Sequence, residues 1–546
     1  MNDCGIVLEV STAAVRMMLS LAVGALASSP TVQVFANTSA CHELAGMGGH
    51  QQAGQSSERV KFVGVAPSVA ACAAAATAWR NTSAPPDAAR CRSATWFGRP
   101  KNASFARQCF CRVDQAWLPL PTPETDSAQL QRPCASERDC SFNGRCAGAA
   151  GEAPTPTGCV CGPGWGGNYC SELQLLPVNA SQLGYRRTTP DGPGGAAQNA
   201  SSWGASVHWD AASATWHGWA SEMREHCGIN AWETNSQVVH LTATDPLGPY
   251  TRRELLWPAF AHEPTVSRGP RGEWAMLYAG FPLDATQLAA SLCTNCSDGV
   301  TPPLAQPGVP GGCPFERGSP KNLGHTMRQM LAVSTAGPEG PWDYNVEIPA
   351  LTVPWDWNTA MHILPDGSAV ALIRGGMVWH AANYSDPASW HGVGGVGGAG
   401  QGPQWALGVE DPFIWMDGAG RFHALAHAFS PFFGVHAIAV DGAPANWTDG
   451  TPMRWEVTGA AYGNRVLFDD GTVQEYARRE RPHLIFGGAQ QQQQQQQEEE
   501  EEEEEEGGAS ADGPVPLALV NGVQYGGAPN APFEDGVMTL VQGIRQ

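Results

Sequence analysis

The sequence predicts a mostly β protein whose C-terminal two-thirds form a five-bladed β-propeller, preceded by two cysteine-rich regions. Gly, Pro and Trp are abundant (64, 43 and 20 residues) and only 15% of residues are charged, which favours turns and strands over helices. Beyond Leu173, an apolar strand, a Gly- or Asp-containing turn and a second apolar strand recur five times. Short strands that repeat in one order indicate a propeller and favour it over a β-sandwich with coincidental hairpins.

The five copies give the predicted propeller, residues 200–546, its five blades. They span 204–219, 264–278, 359–373, 412–426 and 482–520. Third strands follow at 236–243, 330–335 and 435–440, and two copies close on Gly248-Pro249-Tyr250 and Gly340-Pro341-Trp342. The fifth copy carries a Gln/Glu insert, 490–506, which we expect to be disordered because it cannot bury apolar surface.

The composition excludes several classes of partner and cofactor. The formal charge is −21, but Glu498 to Glu506 form one acidic run, and basic residues are nowhere concentrated. A nucleic-acid partner is therefore not predicted. The sequence has no P-loop, no G-x-G-x-x-G after a strand, no H-E-x-x-H and no G-x-S-x-G, so no cofactor is predicted.

The N-terminus predicts export. Arg16 precedes the apolar run 17–27, which ends in Ala25-Leu26-Ala27, as expected for a signal peptide over residues 1–27. The alternatives are an apolar start of the first domain, or a true start at Met17 or Met18. No other run has transmembrane length. Eight sequons are compatible with export: Asn37, Asn81, Asn102, Asn179, Asn199, Asn295, Asn383 and Asn446. We expect a secreted or cell-surface protein.

Six closely spaced cysteines predict a disulfide module at residues 130–171, because so short a unit cannot fold on apolar burial alone. They are Cys134, Cys140, Cys146, Cys159, Cys161 and Cys170. Spacing alone allows fifteen connectivities, and a zinc knuckle would need C-x2-C ligand pairs, which are absent. The stretch Cys159 to Cys170, with Gly167 and Tyr169 before the last cysteine, resembles the end of an EGF-like domain.

The EGF-like resemblance implies three disulfides and a structural role. The implied pairs are Cys134–Cys146, Cys140–Cys159 and Cys161–Cys170. Calcium-binding members carry acidic residues before the first cysteine, whereas residues 129–133 here have none. The module is interpreted as a rigid spacer that carries no chemistry.

A second cysteine group at residues 41–120 resembles a PAN/apple-type adhesive domain, in which a helix (here 68–80) is stapled to a small sheet. An unclassified disulfide-bonded cap is the alternative. The pairing of this group and of a sparse third group stays open: Cys41, Cys72, Cys91, Cys109, Cys111, Cys227, Cys293, Cys296 and Cys313.

Polar residues at the starts of the innermost strands are the candidate site, because these strands surround the propeller axis. Candidate acids are Glu263, Glu410, Asp411 and Glu480, and candidate substrate-binding residues are Asn358 and Arg481. An arginine can keep one carboxylate ionised while a buried neighbour stays protonated. A glycosidase needs this division between base and acid. Capping of turns and pairing with arginines are the structural alternative.

Three phrases resemble the five-bladed propellers of the arabinanase, levansucrase and invertase group, glycoside hydrolase family 43 in particular. They are Ala261-His262-Glu263-Pro264, Glu410-Asp411-Pro412-Phe413 and Arg479-Glu480-Arg481-Pro482. The resemblance implies glycoside hydrolysis with Asp411 at the acid-Pro motif. The family's general base is an aspartate on the first blade, whereas residues 202–206 contain no acid.

A loop between strands of the first blade contains groups that bind sugars. Trp232, Glu233 and Asn235 would suit a saccharide subsite. Alternatively, a disulfide at Cys227 makes this only a stapled loop. His226 has no second ligand pair near it in sequence, so no metal is predicted.

Two functions follow from these observations. The first is an extracellular carbohydrate-active protein that binds and possibly hydrolyses a glycan. The second is a non-catalytic adhesion or matrix protein that binds glycan, a cell-wall or matrix component, or protein. The acids and arginines favour the first, and the missing first-blade acid favours the second.

Overall fold

The fold is seen in a computed structural model. It describes residues 32–35, 60–65, 93–96, 108–112, 126–130, 134–147, 155, 157–185, 201–223, 229, 232–258, 260–280, 327–351, 358–393, 409–428, 433–440, 455–487, 514–524 and 537–546. The predicted signal peptide, the helix at 68–80, the Gln/Glu insert and the third cysteine group lie outside the described residues.

The first cysteine-rich region contains a five-stranded antiparallel sheet with the order β1-β5-β3-β4-β2. Its strands are β1 Val32–Phe35, β2 Val60–Val65, β3 Ser93–Trp96, β4 Gln108–Arg112 and β5 Asp126–Leu130. The sheet takes in strands on both sides of the predicted range 41–120, and its PAN/apple identity stays a prediction.

The disulfide module, residues 134–173, is built from two short hairpins and one 3-10 turn. Its elements are Glu137–Cys140 (3-10), β6 Gly144–Cys146, β7 Cys159–Cys161, β8 Trp165–Gly166 and β9 Glu172–Leu173. Its disulfides are Cys134–Cys146, Cys140–Cys159 and Cys161–Cys170, the three pairs that the resemblance implies.

Five antiparallel sheets follow, and their innermost strands contact one another in a closed ring, so the predicted five-bladed propeller is confirmed. Blade 1 is β10 Ser202–Asp210, β11 Thr215–Met223, β12 Ser236–Ala243 and β13 Thr251–Trp257. Blade 2 is β14 Ala261–Arg268, β15 Trp274–Gly280, β16 Arg328–Ser334 and β17 Tyr344–Glu347. Blade 3 is β18 Thr359–Ile363, β19 Ala369–Ile373, β20 Met377–Ala381 and β21 Trp390–Gly392.

Blades 4 and 5 are separated by a small hairpin. Blade 4 is β22 Val409–Met416, β23 Phe422–Ala428, β24 Phe433–Ala439 and β25 Trp455–Tyr462. The hairpin is β26 Arg465–Leu467 and β27 Val473–Glu475, and blade 5 is β28 Arg478–Phe486, β29 Pro516–Gln524 and β30 Val537–Gly543. Helical turns are Trp232–Asn235 (α) and Pro349–Leu351, Arg374–Gly376 and Pro387–Ser389 (3-10).

Blade 5 has three strands of its own, and the segment 174–185 takes the fourth place. Tyr185 N donates to Thr539 O at 2.9 Å, and Leu176 N donates to Gly543 O at 2.8 Å. Because this segment precedes blade 1 in the chain, it ties the start of the propeller to its last strand and closes the ring.

The core lies between neighbouring blades. All five residues of β19, Ala369–Ile373, are buried, because this second strand of blade 3 packs against apolar clusters on both faces and needs an uninterrupted apolar run. Leu372, Ile414 and Phe422 pack between blades 3 and 4. Burying each such side chain stabilises the fold by about 1.5–3 kcal/mol.

The disulfide module packs on blades 4 and 5 in addition to linking the regions on either side of it. The Trp165 ring lies 6.3 Å from that of Trp415 and 5.0 Å from that of His436. Leu173 and the Cys140–Cys159 pair belong to the same apolar cluster as Trp415. No helix in the described part of the chain is long and apolar enough to cross a membrane.

Candidate functional site

Four of the five innermost strands carry a β-bulge at the same place, and a left-handed residue marks each. These residues are Gly204 in blade 1, Glu263 in blade 2, Asp411 in blade 4 and Arg481 in blade 5, with φ of 62°, 58°, 52° and 56°. A non-glycine residue pays about 1–2 kcal/mol for this conformation. Bulges commonly re-aim side chains next to active sites.

These bulge residues, with Asn358 from blade 3, form one cluster that we call the axial ring. Arg481 NH1 lies 3.0 Å from Glu263 Oε1 and 3.7 Å from Asp411 Oδ1. Asn358 Nδ2 donates to Glu263 Oε2 at 2.6 Å. The structure therefore brings together four residues that the sequence predicted, one from each of blades 2 to 5.

In blade 1 the bulge residue is a glycine, so this blade places no side chain in the ring. A Cβ placed on Gly204 would lie 2.8 Å from Cδ of Arg481. The Arg481 side chain thus fills the volume where a first-blade side chain would stand. The sequence shows the missing acid, and the structure shows which residue takes its place.

Beside the ring, two further predicted acids surround a histidine that sequence reasoning missed. His427 on β23 is fully buried, and its Nδ1 lies 3.3 Å from Asp411 Oδ2. Its Nε2 lies 3.3 Å from Glu410 Oε1 and 4.0 Å from Glu480 Oε2. We call Glu410, His427 and Glu480 the acid–histidine group; they bring one potential ligand atom each within 4.8 Å of one another.

Burial and neighbouring charges set the protonation of this group. Burial lowers the pKa of His427, but the charge of Glu480 and hydrogen bonding to Asp411 and Glu410 raise it to about 10. His427 is therefore an imidazolium at neutral pH. Burial raises the pKa of Glu480 to about 7, against the opposing charges of His427 and Arg478.

In the axial ring, burial likewise raises the pKa of Glu263, with Arg481 opposing and Asp411 adding to the shift. Burial lowers the pKa of its neighbour His262 to about 4, so His262 is neutral. Arginines complete the balance of charge: Arg374 NH1 lies 2.6 Å from Glu410 Oε2, and Arg478 Nε lies 3.8 Å from Glu480 Oε1.

A small cavity lies against the axial ring and is lined by Ser206, Thr265, Asn358, Asp411, Arg481 and His483, among others. Asn358 Oδ1 is buried and accepts no hydrogen bond from any described residue, whereas the Asp411 carboxyl has the carboxyl of Glu263 as a hydrogen-bond neighbour. An unsatisfied buried acceptor costs about 1–3 kcal/mol. A ligand that offers hydrogen-bond donors would remove this cost.

The predicted sugar subsite is only partly brought to the axis. Trp232 is half-buried and stacks on His262 with ring centroids 5.0 Å apart, and His262 Nε2 lies 3.6 Å from Glu263 Oε1. Asn235 is fully buried and does not line the cavity. The stretch predicted as a loop forms a short helix here, and the side chain of Glu233 lies outside the described part.

His427, Arg374 and Arg478 are the site residues that sequence reasoning did not select. His427 does not lie at the start of an innermost strand: it is near the end of the second strand of blade 4 and pairs with Glu410 across the sheet. The sequence signal that could have identified His427 is its spacing from His423, because residues four apart on one strand lie on the same face.

Comparisons with known proteins identify no family. No protein-family model and no curated protein matches the chain. Among solved structures, a GH43 protein from Bacillus licheniformis is 10% identical, with a TM-score of 0.34 over 63% of this chain and 53% of that one. The chain thus spans about half the length of that protein.

Two other structures are similar at the same level. A family 117 glycoside hydrolase from Zobellia galactanivorans is 10% identical, with a TM-score of 0.35 over 66% of this chain and 88% of that one. An α-L-arabinofuranosidase from Fusarium graminearum is 10% identical, with a TM-score of 0.26 over 48% and 60%. Similarity this weak supports no inference, and the propeller fold rests on the strand order of the chain itself.

Proposed function

We propose that this chain is an exported, carbohydrate-active protein that binds a glycan at the axial ring. The observation that carries the proposal is the cavity against the ring, where Asn358 Oδ1 is a buried acceptor with no donor among the described residues. Sugar hydroxyl groups supply such donors. Trp232 lies beside the ring, half-buried, with its indole stacked on His262.

Hydrolysis is the finer part of the proposal. Glu480, with a pKa of about 7, can hold a proton at neutral pH as a general acid must. Of the four candidate acids only Asp411 lines the cavity, so a proton from Glu480 has to reach a substrate from beside it. Asp411, beside the Arg481 guanidinium and the His427 imidazolium, is the carboxylate partner in this scheme. Glycoside hydrolysis needs such an unequal pair of carboxyl groups.

A non-catalytic binding function is the second candidate, and a specific observation favours it. Blade 1 presents Gly204 and no acid at the axis. The four carboxyl groups of Glu263, Glu410, Asp411 and Glu480 face four cationic groups, Arg374, Arg478, Arg481 and His427. Such a balanced cluster can stabilise the axis without acting on a substrate.

Reducing-end release from a panel of cell-wall and matrix polysaccharides, together with retardation in gels containing the same glycans, separates these functions. In the enzyme, Glu480→Gln and Asp411→Asn each lower hydrolysis by about 100-fold or more. Glu475→Gln, an exposed carboxylate on the β26–β27 hairpin, is the matched control and leaves activity unchanged.

Each outcome of this experiment is decisive. Retardation without hydrolysis, abolished by Asp411→Asn, establishes the binding function and rejects the enzyme. Neither hydrolysis nor retardation on any glycan rejects the carbohydrate-active proposal as a whole.

Export is proposed from the predicted signal peptide, the three disulfides of the module and its EGF-like spacing. It places the axial ring outside the cytosol, where a cell-wall or matrix glycan is the partner.

A further inference from the structure

Two of the eight sequons lie in the described part of the chain, and both have the same local structure. At Asn179-Ala180-Ser181, the backbone N–H and the hydroxyl of Ser181 donate to Asn179 Oδ1 at 2.8 and 2.6 Å. At Asn383-Tyr384-Ser385, the corresponding groups of Ser385 donate to Asn383 Oδ1 at 3.2 and 2.9 Å.

These contacts leave the amide nitrogen of each asparagine free. Both side chains are exposed, and neither Nδ2 donates to any group among the described residues. Five described asparagines outside sequons do use Nδ2 in the native structure: Asn143, Asn345, Asn358, Asn464 and Asn521. The sequon asparagines are thus set apart by their hydrogen bonding as well as by their motif.

We propose that Asn179 and Asn383 are N-glycosylation sites. The inference rests on the proposed export, because the modification takes place on the lumenal side of a secretory membrane. In the reaction, Nδ2 forms a bond to C1 of an oligosaccharide and loses one proton. The bond between C1 and the pyrophosphate oxygen of a lipid-linked donor breaks, and the lipid pyrophosphate leaves with the electron pair.

The arrangement at each site favours this transfer for two reasons. Two donors on Oδ1 hold the carboxamide in one orientation and make the Nδ2 protons more acidic, and the reaction removes one of these protons. The contacts span three residues, so they can form in the chain before it folds. Afterwards the turn is kept, because it uses only Oδ1 and the glycan replaces a hydrogen that no native bond requires.

The fold also provides room at both sites. Tyr384, between Asn383 and Ser385, is 2% exposed, and its hydroxyl donates to Glu273 Oε1 at 2.7 Å. This anchor turns its two neighbours outward between β20 and β21, the outer strands of blade 3. Asn179 lies in the segment that completes the outer edge of blade 5. Glycans at these positions leave the axial ring open.

The test translates the full chain in the presence of secretory microsomes. Protection from added protease reports translocation, and peptide-N-glycosidase, which converts a glycosylated Asn to Asp, reports each site by peptide mass spectrometry. We expect conversion at residues 179 and 383. Asn179→Gln and Asn383→Gln each remove one glycan, and Ser181→Ala and Ser385→Ala abolish occupancy without touching the asparagine.

Rescue and control variants complete the design. Ser181→Thr and Ser385→Thr keep the hydroxyl and retain the glycan, and Asn464→Gln, outside any sequon, leaves the glycan count unchanged. A protected chain unmodified at both asparagines overturns this inference alone. A chain that the protease digests overturns the proposed export, and this inference with it.

Discussion

Blades 1 and 4 share their internal structure and differ at the axis. In blade 1, His217 Nδ1 and His240 Nε2 lie 2.9 Å apart, and in blade 4, His423 Nδ1 and His436 Nε2 lie 3.1 Å apart. Each pair links the second strand of its blade to the third. Each leads to an aspartate where the first hairpin turns: Asp210 through Ser213, and Asp417 directly.

The axial ends of the same two blades have the same backbone and different side chains. Both inner strands bulge through a left-handed residue, Gly204 in one and Asp411 in the other. The blade therefore imposes the bulge whether or not glycine is present. The chemistry at the axis depends on the side chain of the bulge residue. In blade 1 that residue is Gly204, and the Arg481 side chain from blade 5 occupies the volume beside it.

The largest expected effect is a loss of stability at the ends of these two strands that lie away from the bulges. Trp415, four residues after Asp411, packs on Trp165 of the disulfide module, whereas the equivalent His208 in blade 1 has ring contacts with Trp219, Trp274 and His483 of the propeller. We expect Trp415→Ala to cost about 3–5 kcal/mol of unfolding free energy. Denaturant titration measures this cost, and limited proteolysis of residues 134–173 reports release of the module.

The control variant removes an exposed ion pair at the same contact, between Arg138 of the module and Glu456 of β25. Arg138→Ala should cost no more than about 1 kcal/mol, since exposed pairs contribute little. Equal costs for the two variants would show that charge, and not apolar packing, holds the module on blade 4.

The next effect concerns the bulge itself. We expect Gly204→Ala to destabilise the protein by about 2–4 kcal/mol, because it places a side chain at φ 62° and a Cβ 2.8 Å from Cδ of Arg481. Asp411→Asn keeps a residue that tolerates left-handed backbone, so the cost of that variant comes from the charge it removes beside Arg481 and His427.

A double-mutant cycle with Arg481→Ala tests the steric part of this effect. Because Arg481→Ala removes Cγ and Cδ, the two changes together should cost less than their sum, by about 0.5–3 kcal/mol. Strict additivity in thermal or denaturant unfolding would mean that Arg481 does not occupy the volume above Gly204.

The smallest effect is a difference in pH dependence. The pKa of Glu480 is raised from 4.5 to about 7, so its contribution to stability is present below pH 4.5 and is lost as pH rises through 7. Burial lowers the pKa of His240 from 6.5 to about 3, so its contribution is present above pH 6.5 and is lost as pH falls towards 3.

Melting temperatures between pH 4.5 and 8 measure both slopes. Relative to the wild type, Glu480→Gln should gain stability as pH rises, and His240→Gln should gain it as pH falls. Parallel curves for the wild type and both variants would contradict these assignments.

Most of the blade strands could be predicted from the sequence, because strands packed on both faces need continuous apolar runs and the turns between them need Gly or Asp. The predicted hairpin 359–373 coincides with β18 and β19, and the third strand 236–243 is β12. Four predicted site residues lie together in the axial ring because a propeller brings the starts of its innermost strands together.

What the sequence did not yield depends on contacts between distant residues. The pairing of segment 174–185 with β30 joins stretches more than 350 residues apart, and no local pattern encodes it. His427 acquires its role from Glu480 in the next blade, and Arg481 from an empty position in blade 1. Contacts between side chains of different blades cannot be predicted from local sequence, because they form only when the ring closes.

The closure of blade 5 has a consequence for how the protein is made. The segment 174–185 is synthesised more than 350 residues before its partner β30, Val537–Gly543, which emerges only after the other four blades. Until then, the strand edge of blade 5 has no partner, and an open edge can pair with another chain. The ring can therefore be completed only after β30 has been synthesised, and a chain truncated before residue 537 would keep this edge exposed.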